Sequence, residues 1–330
     1  MRTLIISDLH LGMRRGQDVL RRRAAREPLL EAMAEVDRLV LLGDVVELMD
    51  GRPRRAMTAA EPVVRALGTA LGSGRQVVIV PGNHDGPLVR SWIRRRGSDL
   101  RPEERIDPDA TPLLSEVVRW LSPAQVEVRY PGVWLRPGTW ATHGHYLNHH
   151  LLPASAYGLP RGALTRIPAS GARAWHYERG GGRGASDSGW RNAAQSGLSF
   201  VRRELVIPVQ RRLLDRRLAP VTSAVLELQV QYGAGPALAQ VAQRLRVDAD
   251  WVIFGHVHRR GVLEAQSGRD GGPTLVGVGS WLYEPLLVNG ADSSHPYWPG
   301  GAVRLEGEDP PEAVGLLEDL APEALRSPLR

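Results

Sequence analysis

Apolar residues in this chain come in short unbroken runs, each followed at once by a glycine or a small polar cluster. Leu4-Ile5-Ile6 runs into Ser7-Asp8, Leu39-Val40-Leu41-Leu42 into Gly43-Asp44, Val77-Val78-Ile79-Val80 into Pro81-Gly82-Asn83, and Trp251-Val252-Ile253-Phe254 into Gly255-His256. Runs of this length bounded by turn formers read as buried strands. They predict strands over residues 2–7, Arg38–Leu42 and Gln76–Val80, with a further strand carrying Trp251. Stretches at helical spacing fall between them, over Arg22–Glu35, Ala59–Leu71, Leu88–Arg95, Pro112–Leu121 and Pro236–Leu245. Short strands are predicted at Val126–Tyr130, Gly132–Leu135 and Thr139–Thr142, with turns at Pro131-Gly132 and Pro137-Gly138, as a second sheet. Gly261–Ala265, Thr274–Val278 and Val303–Leu305 continue as strands, and the Pro- and acid-rich segment Glu308–Arg330 is assigned no element.

The polar residues at the strand ends carry the chemistry. Five motifs stand there: Ser7 to His10 (SDLH), Gly43 to Glu47 (GDVVE), Gly82 to Asp85 (GNHD), Thr142 to His145 (THGH) and Gly255 to His258 (GHVH). In an extended segment residues two apart share a side, so Asp8 with His10 and His256 with His258 could each face one cation. Asp44 and Asn83 follow strands that run into glycine loops, where the backbone can turn sharply and bring the next side chain to the centre. In an open α/β sheet, ligands bind in the crevice beyond the carboxyl ends of the strands. A lone D-x-H or H-x-H pair is a weak signal. Five such motifs in order, each after an apolar run, are a strong one.

These residues resemble the motifs of the calcineurin-like metallophosphoesterase superfamily, from Met1 to about Gly279-Ser280-Trp281. The resemblance implies a four-layer α/β/β/α sandwich with two metals at its strand ends. Carried over by motif, Asp8, His10 and His258 would hold one metal, Asn83, His143 and His256 the other, and Asp44 would bridge both. Donors of carboxylate, amide and imidazole type suit Mn²⁺, Fe or Zn²⁺, and Mn²⁺ is the expectation. His84 is not a ligand in the family; it would face the scissile phosphate as proton donor or charge stabiliser. Asp85 is expected to orient it, and His145 to support His143 from behind. Glu47 is given no role. The implied reaction is hydrolysis of a phosphodiester or pyrophosphate by water acidified between the cations. The alternatives are a nuclease, a cyclic-nucleotide phosphodiesterase, or a scaffold that has lost activity.

His143 and His256 are 113 positions apart, more than such a sandwich needs, so an insertion is expected between two core segments. The division is residues 1–150 and 248–330 for the core, and 151–247 for a lid that is loop-rich and then helical. Its Leu198–Ile207 and Val209–Leu218 stretches alternate apolar residues and arginines around Pro208. They read as helices packing an apolar face on the core with solvated arginines outside, as a lid clamping a diphosphate, or as a surface for acidic lipid. SDLHL and GDVVE look most like the bacterial UDP-2,3-diacylglucosamine diphosphatase group, which has a helical lid at this place. That group's best-known members have Arg at the position of His84 and Asp at that of His145.

Composition adds little but consistent detail. With 42 basic residues, all arginine, against 36 acids, the net charge is +6, favouring anionic partners such as phosphates, nucleic acid or acidic lipid surfaces without choosing among them. The resemblance implies a phosphate-containing small-molecule or lipid-linked substrate, with nucleic acid left open. Only 5% of residues are aromatic, and none interleave with arginine as a base-stacking platform requires. There is no cysteine, hence no disulfide framework. The chain starts directly in a strand, and no apolar run nears the ~20 residues of a membrane span. A cytoplasmic enzyme is expected, with peripheral contact at the inner membrane face through the insertion as an added option.

Overall fold

The computed structural model describes residues 1–14, 16–151, 167–179, 233–263, 272–288 and 290–326. The Leu198–Ile207 and Val209–Leu218 stretches lie outside the described residues.

Three parallel strands, β1 (Arg2–Ile6), β2 (Arg38–Leu41) and β3 (Gln76–Ile79), form the centre of a first sheet. They are linked by α1 (Arg23–Ala32) and α2 (Pro53–Leu71), the helical crossovers that parallel neighbours require. Helix α3 (Gly86–Arg96) follows β3, and the short strand β4 (Glu103–Ile106) leads to α4 (Pro112–Trp120). The next strand, β5 (Gln125–Arg136), belongs to both sheets. Its first half pairs with β3, Ile79 opposite Val128, and with β4; its second half pairs antiparallel with β6 (Thr139–Thr142), Gly132 opposite Thr142. In the second sheet β6, β7 (Trp251–Phe254) and β9 (Thr274–Val278) are parallel, with β8 (Arg260–Val262) antiparallel at the edge. Antiparallel β10 (Gly301–Glu306) and β11 (Glu312–Gly315) extend the first sheet beyond β1. Between β6 and β7 the described residues include α5 (Ala174–Glu178) and α6 (Gly235–Leu245), and α7 (Pro285–Val288) and α8 (Pro322–Leu325) come later in the chain.

The layering follows from where alternate strand residues go. Ile5, Val40, Leu42, Val78 and Val80 of the first sheet meet Ala141, Ile253, Val276 and Val278 of the second in a cluster made of strand and strand-end residues. Their neighbours Leu4, Ile6, Leu39, Leu41, Val77 and Ile79 turn outward to Leu29, Val63, Val64, Leu67, Leu114 and Val117 of the helices. Val252, Phe254 and Leu275 turn outward in the second sheet, where α6 buries Leu238 and Val241. Two sheets face each other with helices outside, an α/β/β/α sandwich, and both faces of every central strand are buried. That double burial is why the strands read as continuous apolar runs.

Several sequence expectations need correction. The turn expected at Pro131-Gly132 does not form: β5 runs straight through and carries the chain from one sheet to the other. Gly132 is needed there because a Cβ would stand 2.4 Å from the Trp140 ring. Helix α2 starts at Pro53, not Ala59; proline suits the first helical turn, and Ala56 and Met57 are already buried. Strands β4 and β11 were not foreseen, both being edge strands with few apolar residues. No helix among the described residues is long and apolar enough to cross a membrane.

Candidate metal centre

Every motif singled out in the sequence lies just past the carboxyl end of a strand: Asp8 and His10 after β1, Asp44 after β2, Asn83 and His84 after β3, His143 after β6, His256 and His258 after β7. The convergence does not come from strand alternation, as the D-x-H spacing suggested. Asp8, His10, Asp44, His256 and His258 all adopt positive φ, between 43° and 69°. Non-glycine residues seldom adopt this conformation, and its clustering marks sites where surrounding structure imposes strain. Close backbone approach does the rest. A Cβ on Gly255 would lie 2.0 Å from Ser7 Oγ, and one on Gly82 would lie 2.3 Å from Asp44 Oδ1.

Two triads result. Asp8, His10 and His258 bring one donor atom each within 4.8 Å of one another, and so do Asp44, His143 and His256. His258 Nε2 lies 3.3 Å from Asp8 Oδ1, and His143 Nε2 lies 3.2 Å from Asp44 Oδ2 and 3.1 Å from Asn83 Oδ1. The triads touch through Asp44, whose Oδ2 is also 3.7 Å from His10 Nε2. Asp8, His10, Asp44 and His143 are buried, whereas Asn83, His84, His256 and His258 are half-buried and form the open side.

The remaining atoms of these side chains are tied down by the chain itself. Asp8 Oδ2 accepts from Ser7 Oγ at 2.6 Å and His256 N at 2.9 Å; Asp44 Oδ1 accepts from His84 N at 2.7 Å. His143 Nδ1 donates to the Leu42 carbonyl at 3.0 Å, directing Nε2 to the centre. His10 Nδ1 is 2.8 Å from Glu47 Oε2, which directs its Nε2 likewise. Such outer contacts fix the tautomer and ring orientation of a ligating histidine. Two inward atoms, Asp8 Oδ1 and His10 Nε2, are buried without a hydrogen-bond partner among the described residues. Orphaned buried donors of this kind, next to carboxylates and imidazoles, fit a divalent cation.

The electrostatics agree. Burial opposes ionisation of Asp8, but the imidazoles of His258, His10 and His143 outweigh it and keep the carboxyl far below its usual range. Asp44 behaves in the same way, held down chiefly by His143 and His84. Burial resists a charge on His143, yet the Asp44 carboxylate raises it to about 9. His256, pushed down to about 3 by burial and by His143, is neutral and ready to ligate. In this arrangement imidazolium groups supply the positive charge that the carboxylates demand, the place a metal would take.

One expected partnership is redrawn. Asp85 does not orient His84. Its Oδ2 accepts from Val45 N at 3.0 Å and Gly82 N at 3.3 Å, and its Oδ1 accepts from Val46 N at 2.9 Å, so it pins the second motif's loop to the third. The residue against His84 is Glu47, its Oε1 2.7 Å from Nδ1. Glu47 Oε1 also accepts from Met49 N and Asp50 N, which makes it the best connected acid at the site. Sequence reasoning passed it over, although an acid inside the apolar stretch Val45 to Leu48 was a visible signal. Glu284, 4.0 Å from His258 Nδ1, was also unforeseen. His145 packs 5.6 Å from His143 between ring centroids, with Nε2 3.4 Å from the Tyr130 hydroxyl. Tyr130 and Tyr146 both donate to Glu178, which anchors α5 beside the centre.

A family model described as calcineurin-like phosphoesterase matches residues 1–260. Among solved structures that match is a dimetal phosphatase from Danio rerio, 15% identical, covering 96% of this chain and 99% of its own, with a TM-score of 0.37. No curated protein matches. With the match spanning most of the sequence, the chain belongs to the calcineurin-like phosphoesterase family, dinuclear metal-dependent hydrolases of phosphoesters.

Proposed function

We propose that this chain hydrolyses a phosphodiester or pyrophosphate bond, with His84 serving the departing oxygen. The observation that carries the reading is the pair of triads, Asp8–His10–His258 and Asp44–His143–His256, joined through Asp44 and opening to solvent beside His84. Asp8, His10 and His258 would hold one cation, Asn83, His143 and His256 the other, with Asp44 between. Two bound cations supply charge neutralisation for the phosphate and a water acidic enough to attack near neutral pH. Carboxylate, amide and imidazole donors without thiolate favour Mn²⁺ over softer metals.

The protein's own part is orientation and proton delivery. His84 stands edge-on to His10, ring centroids 4.7 Å apart, and its side chain is 20% exposed. With Nδ1 held by Glu47, Nε2 is the nitrogen left to face substrate. A proton carried there can pass to the leaving oxygen, and the buried Glu47 carboxylate steadies the charged ring before transfer. Asp85 acts at a distance by keeping the two ligand loops in register.

The substrate class proposed is a nucleotide-linked lipid or sugar, supported by the likeness of SDLHL and GDVVE to the UDP-2,3-diacylglucosamine diphosphatase group. His84 and His145 depart from that group's pattern. A panel with Mn²⁺, containing nucleotide-sugar lipids, dinucleotides, cyclic nucleotides and single-stranded DNA, separates these from the nuclease and cyclic-nucleotide alternatives. The basic test is hydrolysis of bis(p-nitrophenyl) phosphate alongside metal analysis. His84→Ala should keep its metal and lose roughly 10²- to 10⁴-fold in rate, more with an alkyl than with a p-nitrophenyl leaving group. Wild-type turnover by that variant removes His84 from the role given to it.

A further inference from the structure

Next to the metal centre, the loop after His10 and the loop after Glu47 enclose a cavity of about 360 Å³ lined by Gly12, Arg14, Asp50, Gly51, Arg52 and Arg55. We propose that this cavity is a subsite for a second anionic group of the substrate, a phosphate or carboxylate other than the one hydrolysed. The proposal rests on the hydrolytic reading only for what occupies the metal centre.

Charge is the first observation. Three exposed arginines, Arg14, Arg52 and Arg55, border the cavity against one acid, Asp50, and none of the three is in an ion pair among the described residues. Arginines left unpaired around a concavity are suited to forked hydrogen bonds with a phosphate or carboxylate. Arg52 and Pro53 also open the 19-residue helix α2, so the positive end of that helix adds to the same field.

The second observation is that the backbone is shaped to build this wall. Gly12, with φ 90°, seats the His10 loop directly on α2: a Cβ there would lie 2.5 Å from Ala56 Cα. Gly51, with φ 108°, leaves room for the stem of Arg14, whose Cδ would be 3.2 Å from a Cβ at that position. The third is the link to the chemistry. Asp50 N donates at 2.9 Å to Glu47 Oε1, the oxygen that also meets His84 Nδ1 at 2.7 Å. Cavity wall and proposed proton donor therefore share one carboxylate.

The experiment measures binding of Mn²⁺-loaded protein to a series of alkane α,ω-diol bisphosphates, the matching ω-carboxyalkyl phosphates and the simple alkyl monophosphates. For one chain length in the series the bisphosphate or the carboxylate should bind about tenfold or more tighter than the monophosphate, the worth of a charge-assisted contact. Whichever arm gains identifies the anion. In the Arg14→Ala/Arg52→Ala/Arg55→Ala variant the ratio should fall to near one, while Arg65→Ala, further along α2, should retain it. A ratio of one in the wild type, or one that survives the triple change, overturns the proposal. Turnover of bis(p-nitrophenyl) phosphate is read separately: its absence with an intact ratio defeats the hydrolytic reading alone.

Discussion

Glu47 holds His84 through a 2.7 Å contact between Oε1 and the imidazole Nδ1, while its other oxygen lies 2.8 Å from Nδ1 of His10. One buried acid thus orients a proposed proton donor and a proposed metal ligand together. Replacing it by Gln keeps the shape but removes the charge. For Glu47→Gln we expect kcat on bis(p-nitrophenyl) phosphate to fall about 10- to 100-fold, with weaker metal retention. Unchanged kcat and metal content would show that the histidines need no such partner.

Asp85 should matter for a different reason. Its carboxylate is fully buried and takes three backbone N–H groups, two from the Asp44 loop and one from the Asn83 loop. Asp85→Ala leaves three donors without a partner, a loss of about 3 kcal/mol or more of folding stability. Urea denaturation of wild type and variant measures it. A midpoint that does not move contradicts the role of clamp.

Metal uptake should depend on pH through His143. Burial disfavours its charged form, but the Asp44 carboxylate lifts its pKa to about 9, so below that value Nε2 must lose a proton before it can ligate. Apparent affinity at the second triad should rise by about tenfold per unit from pH 7 to about 9 and then level off, from this proton alone. The sign is opposite for the metal-free fold: protonated His143 contributes stability that is complete below about 6.5 and is lost as pH rises through about 9. Calorimetric titration in buffers of different ionisation enthalpy counts the proton released. An affinity flat across this range contradicts the coupling.

Much of this fold is legible in the sequence because strands buried on both faces leave long apolar runs, and Leu39 to Leu42 or Val77 to Val80 cannot be mistaken. The candidate donors are legible because each stands within a few residues of such a run. What escapes is whatever depends on distant pairing or on backbone conformation. Glu47 meets His10 and His84 from 37 residues away on either side, and its place in an apolar stretch marks the acid without naming those partners. Asp85, adjacent to His84 in sequence, was the natural guess, but the third-motif turn sends its carboxylate into the backbone. The positive φ of Asp8 and His10 is imposed by packing of the strand ends, so spacing alone suggested an extended pair. Strand β5 hides its double membership because Pro131-Gly132 has the composition of a turn.

Asp44 is the side chain on which the two triads meet, with Oδ2 3.2 Å from His143 Nε2 and 3.7 Å from His10 Nε2. The most direct measurement is therefore metal stoichiometry by plasma mass spectrometry on wild type and Asp44→Ala after Mn²⁺ loading and desalting. A shared carboxylate predicts two ions per wild-type chain and loss of both, with activity, in the variant. One ion or none in the wild type, or two retained without Asp44, would contradict a centre built around that residue.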